Sequence, residues 1–130
     1  MPFADTWIAW SPRLLAILRI ITALLFIEHG TSKLFGFPPF PMEVQLFSLF
    51  GLAAVIELVG GILVLIGLFT RPVAFLLSGE MAIAYFMVHA PEGFFPANNG
   101  GEAAILFCFI FLYLSAAGPG AWSADEARKV

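Results

Sequence analysis

His29 and His89 stand in stretches that are otherwise almost wholly apolar, as do the carboxylates of Glu57, Glu80 and Glu102 and the guanidinium of Arg19. Imidazole titrates near neutral pH and a carboxylate beside it can hold the ring's orientation, so these types can relay protons where a fold brings them together. At membrane depth an ionisable group costs roughly 2.5–3.5 kcal/mol on insertion scales, and it normally faces a bundle interior with a partner. Two imidazoles and a carboxylate can also bind a metal, but ligands drawn from three separate segments have no diagnostic local spacing. No metal site is assigned. Cys108, the single cysteine, can make neither an internal disulfide nor a Cys-x-x-Cys pair, so electron chemistry needs another carrier.

The chain that must position these groups is 61% hydrophobic and 12% charged over 130 residues, against about 25% charged in ordinary soluble domains. One polytopic membrane domain over 1–130 is the class this implies, with the lipid bilayer as its first partner. The formal charge of -3 and the lack of any Lys/Arg run exclude a nucleic-acid surface. A cleaved signal peptide over 13–27 is not expected, because Glu28-His29-Gly30-Thr31-Ser32-Lys33 stands where a small-residue cleavage site should be.

Breakers and caps divide the chain. Asp5 and Thr6 can cap a short turn through Trp7 and Trp10, which places residues 5–10 at the interface. Ser11 followed by Pro12 starts a first helix that Gly36 closes, spanning about 12–35. The prolines of 36–41 exclude regular helix. A second helix runs over about 44–69, and Thr70-Arg71-Pro72 makes a short connection to an antiparallel third over about 72–90. After the loop of 91–101, Asn99 can cap a fourth helix over about 102–117, and Ser123-Ala-Asp-Glu126 forms a capping box for a short terminal helix.

The expected fold class is therefore all-α, a four-helix transmembrane bundle with short loops. The fourth helix is cleanly apolar only over Ala103–Ala117. Arg13, Arg19, Arg71, Arg128 and Lys129 fall toward one side and Lys33 toward the other, which puts both termini in the cytoplasm.

At 1.5 Å per residue from the cytoplasmic end, Arg19 lies about 10 Å deep, Glu80 about 12 Å and Glu57 about 18 Å. His29 and Lys33 come out at about 25 and 30 Å, level with His89 and Glu102. The first three read as a buried charge network or a proton path, with Glu80 as the first choice of partner for Arg19 and Glu57 as the second. The outer His29, His89 and Glu102 read as interfacial residues bonded to loop carbonyls, or as a ligand or redox site facing outward. Lys33 can complement its helix dipole, Asn98 and Asn99 can add neutral hydrogen bonds, and Tyr113 shares a helical face with Glu102. In the second helix Ala53, Ala54, Glu57, Gly60, Gly61 and Val64 form one stripe, whose small residues permit close approach and carry Glu57 inside.

Arg19…Leu25-Phe-Ile-Glu-His-Gly30…Lys33-Leu-Phe-Gly36, then Glu57-Leu-Val-Gly-Gly61…Gly67-Leu-Phe-Thr-Arg-Pro72, resembles the DoxX family of small membrane proteins. Met81-Ala-Ile-Ala-Tyr-Phe-Met-Val-His-Ala-Pro91, Asn98-Asn-Gly-Gly-Glu102 and Gly118-Pro-Gly-Ala-Trp-Ser123 carry the likeness to the end. It implies a four-helix bundle loosely related to the vitamin K epoxide reductase type. It also implies an inner-membrane role in quinone- or thiol-linked redox, as a subunit or accessory of an oxidoreductase complex. The missing cysteine pair turns that expectation away from thiol–disulfide catalysis and toward quinone, with His29, His89 and Glu102 as the groups that would bond it. A conduit for protons or a small solute, and a structural partner without catalysis, are the competing readings. An oxidoreductase and further copies of the chain are the protein partners they leave open.

Overall fold

Proline at its start and glycine at its end bound the longest helix. Pro12 lies in the first turn, and Gly36 closes the last in left-handed backbone (φ 67°), its N–H donating to the Ser32 carbonyl. The computed structural model describes residues 2–129, and among them there are seven α-helices and no strand. These are α1 (Pro2–Ala9), α2 (Ser11–Phe35), α3 (Leu49–Ile66), α4 (Thr70–Ala84), α5 (Pro96–Asn99), α6 (Glu102–Ala117) and α7 (Ala124–Ala127). α4 runs on through a π turn, Tyr85–His89, and a 3-10 turn, Ala90–Glu92.

Several boundaries differ from expectation, each for a local reason. Residues 5–10 are not a capped turn, because α1 spans Asp5 and Thr6 and the Thr6 hydroxyl donates back to the Pro2 carbonyl. Ser11 caps nothing, since Trp10 before it is already helical. The second helix starts at Leu49 rather than 44, because Ser48 is its cap and accepts from the Gly51 N–H. Gly51 is required there: the Gln45 and Leu46 carbonyls fold back onto the space that a β-carbon would occupy.

α2 packs along α3, and α4 along α6. The two pairs meet through a buried apolar cluster that includes Ala23, Phe26, Val64, Leu77, Phe107 and Phe111. Phe26 stands edge-on to Phe107 and Phe111, with ring centroids 5.3 and 4.9 Å away. Ser11–Phe35, Leu49–Ile66 and the continuous Thr70–Glu92 are long and apolar enough to cross a membrane, whereas α6 is apolar but has 16 residues. Their outward faces carry many exposed large apolar side chains, among them Ile21, Leu25, Val59, Phe75 and Phe109. In water that surface would be a liability, and in lipid it is the ordinary exterior.

Candidate functional site

Small residues set the register of α2 against α3. A β-carbon on Gly30 would come within 2.9 Å of the Leu58 nitrogen and 3.0 Å of the Ala54 oxygen, and one on Gly61 within 2.6 Å of Ile27. Such close backbone approach needs glycine. Glu57 thereby lies level with Gly30 and 1% exposed, on the buried stripe with Ala54, Gly60, Gly61 and Val64. Lys33 lies one turn further along α2, and its Nζ is 2.5 Å from Glu57 Oε1. On α4 the Glu80 carboxyl faces that of Glu57 at hydrogen-bonding range and stands in the field of Lys33. Its Oε1 is buried and has no hydrogen-bond partner. Three helices thus bring one ammonium and two carboxyls together. Glu57 and Glu80, expected in one layer with Arg19, stand together, and the cation beside them is Lys33.

Arg19 is elsewhere, which corrects both carboxylate partners foreseen for it. Its guanidinium touches the space over Gly67, at the far end of α3. Ten residues of helix separate it from the level of His29 and Glu57, roughly 15 Å. The expected depths assumed that the helices begin in one plane, whereas α2 starts well before α3 ends. Arg19 is fully buried and donates to the carbonyls of Pro119, to Ala121 at 3.2 Å and to Trp122 at 2.9 Å. Those carbonyls belong to the strap of residues 118–123 that follows α6. Arg71 does the same for the end of α6, donating to the Ala116 carbonyl.

Asp125, not singled out from sequence beyond its place in the capping box, closes this end. Its carboxylate accepts from the Phe69 and Thr70 N–H groups at 2.8 and 2.9 Å, capping α4 from 55 residues away. Thr70, which stands before Arg71-Pro72 as Ser11 stands before Pro12, makes no side-chain cap for this helix. Partial desolvation pushes the Asp125 carboxyl up, but those N–H groups and nearby Arg128 outweigh it and hold it below the usual carboxylate range. The Ala121 N–H donates to the Pro12 carbonyl, so the start of α2 and the C-terminal strap share one end of the molecule.

At the opposite end the outer residues divide. The exposed His29 ring lies 5.5 Å edge-on from Phe107 and in the field of Glu57 and Lys33. His89 Nδ1 is 3.2 Å from the Asn99 carbonyl. Asn99 is buried, but it ties the loop rather than capping α6: its Nδ2 donates to Tyr85 Oη and the Gly93 carbonyl, and its Oδ1 accepts from the Gly101 N–H. Asn98 is exposed. Glu102 and Tyr113 do share a face of α6, and it is the exposed one, opposite Ala104, Phe107, Phe111 and Leu114. No hydrogen bond or ion pair joins His29, His89 and Glu102 among the described residues, and no cluster of His, Cys, Asp and Glu there could hold a metal ion.

The arrangement can therefore hold and exchange a proton among Lys33, Glu57 and Glu80 beside an exposed imidazole. Lone Cys108, whose Sγ touches Ser78 Oγ at 3.5 Å, adds no electron carrier.

Comparison with known proteins shows the family. A family model described as DoxX matches residues 14–90. A Haemophilus influenzae protein named "Uncharacterized protein" is 45% identical, over 90% of this chain and 92% of its own. The Bacillus subtilis "Putative oxidoreductase CatD" is 41% identical over 76% of each chain. "Inner membrane protein YphA" of Escherichia coli is 32% identical over 91% of this chain and 92% of its own. No solved structure matches.

Proposed function

The chain belongs to the DoxX family of membrane proteins, and from that premise we propose that it is an inner-membrane subunit of a quinone-linked redox system, supplying protons rather than electrons. One observation carries this reading. Lys33, Glu57 and Glu80 meet inside apolar helices, next to the exposed ring of His29. Ionisable groups are retained at such depth where they do work. Quinone reduction takes up two electrons and two protons. The chain carries acid–base groups and a lone cysteine, so the electrons come from an oxidoreductase partner.

In this reading α6 is the fourth span, with the aromatic loop around Phe94 and Phe95 completing its passage through the interface, and both termini are cytoplasmic. A quinone diffusing in the bilayer reaches His29 laterally. At the same end His89 holds the loop through the Asn99 carbonyl, and Glu102 stands on the exposed face of α6. The name of the Bacillus relative supports the redox direction, and the names of the Escherichia relatives support the membrane.

Purification from native membrane in mild detergent tests the assignment. Bound quinone and a co-purifying oxidoreductase are the expected result. A preparation that carries neither, and has no effect on quinone reduction when added back, contradicts it.

A further inference from the structure

The buried acid–base triad has an opening. Beyond Gly36 the chain folds over the end of α2 and leaves a cleft of about 550 Å³. Ser32, Lys33, Phe40, Glu43 and Val44 are among the residues that line it. Lys33 belongs to both places: its stem borders the cleft and its ammonium, with the side chain 13% exposed, meets the almost inaccessible Glu57. Beside Glu57 stands Glu80, with a buried oxygen that has no hydrogen-bond partner.

We propose that Lys33, Glu57 and Glu80 form a proton-loading site that exchanges with water through the cleft between the end of α2 and residues 40–44, Glu80 being the group that carries the proton. Two carboxylates at hydrogen-bonding range in an apolar interior cannot both stay ionised beside one ammonium without strong repulsion. Glu57 is the ionised member, because it holds the ion pair. Glu80 is then the protonated one, and its O–H donates to Glu57. Uptake moves one proton from hydronium in the cleft to the Glu80 carboxylate, breaking an O–H bond of the hydronium to leave water, forming the carboxyl O–H and taking the triad from one net negative charge to neutral. Release reverses the step. The other charged groups nearby are His29 and Glu28 on α2 and Glu43 at the cleft, while α6 sets Cys108 against Ser78 of α4. Lys33 is the link, since it lines the cleft and its ammonium holds Glu57.

The inference deepens the acid–base reading of the triad but requires no quinone. Its test is infrared difference spectroscopy of the whole chain in lipid nanodiscs. The wild type should show a protonated-carboxyl stretch that shifts on transfer to D2O. Glu80→Gln should lose that band, and Glu80→Asp, which keeps a carboxyl if the amide variant fails to fold, should move it. In a Cys108→Ala background, Val44→Cys blocked with a bulky maleimide should slow the deuterium shift. A band unchanged in both Glu80 variants, or a shift indifferent to the blocked cleft, overturns the proposal. A preparation without quinone that gives the expected spectra defeats the redox assignment alone. One with quinone but no such band defeats the proton site alone.

Discussion

Lys33 and Glu57, 24 residues apart in sequence, form an ion pair of 2.5 Å whose carboxylate is almost wholly removed from solvent. Truncating one partner of a buried pair strands the other charge, at about 3–5 kcal/mol, whereas replacing both with apolar side chains is often neutral or stabilising. Lys33→Met should therefore lower the melting temperature sharply, and Lys33→Met with Glu57→Leu should recover most of the loss. Glu57→Gln alone should cost less than Lys33→Met, because Glu80 remains to face the ammonium. Equal losses in the two single variants would mean that Glu80 does not share the site.

The guanidinium of Arg19 holds the C-terminal strap by its carbonyls, and hydrogen bonds to charged groups contribute about 1.5–3 kcal/mol each. Arg19→Met should destabilise the protein by at least about 2 kcal/mol and make the chain near Trp122 readily cut by protease. Glu80→Gln should leave the strap protected. Protease sensitivity that rises equally in both variants would restore the Arg19–Glu80 pairing.

Asp125 caps α4 with a carboxyl held below its ordinary range. A depressed folded value means that the stabilisation is fully present above the unfolded carboxylate pKa of about 3.9 and is lost as pH falls through the folded value. Asp125→Ala should cost about 1 kcal/mol near neutrality, and its gap to wild type should close in that acid window. Melting curves taken across the range decide this, and a gap of constant size would contradict it.

The two histidines should behave differently. His89→Ala frees the Asn99 carbonyl and should destabilise the loop by about 0.5–1.5 kcal/mol. His29→Ala removes an exposed ring, and should lower quinone content while leaving the melting temperature nearly unchanged. Quinone content and melting temperature measured on the same preparations separate these outcomes. The reverse assignment of effects would exchange the roles given to the two residues.

The helices and the buried face of α3 were legible in sequence because each rests on local signals. Pro12 and Gly36 bound α2, and Glu57 shares its stripe with Gly60 and Gly61 by a spacing that any reader can count, whereas Gly67 ends α3 short of the expected 69. The partners were not, because they depend on register between helices. Gly30 against Leu58, and Ile27 against Gly61, slide Glu57 away from Arg19 and toward Lys33, and nothing local to any of the three says so. The cap of Asp125 on α4 was hidden for the same reason. Its nearest sequence signal, the capping box from Ser123 to Glu126, explains α7 and is silent about a partner 55 residues distant. Ser48 gives no stronger local signal of a helix start than the polar Glu43 and Gln45 before it.

The most direct measurement is quinone-linked turnover in native membranes that carry either the wild-type chain or Glu80→Gln, with quinone content and melting temperature read on the purified proteins. The account predicts that Glu80→Gln retains its fold and its quinone but loses most of the turnover, because the proton supply is gone while binding at His29 is intact. Wild-type turnover in Glu80→Gln membranes, from protein present at the same level, would contradict it.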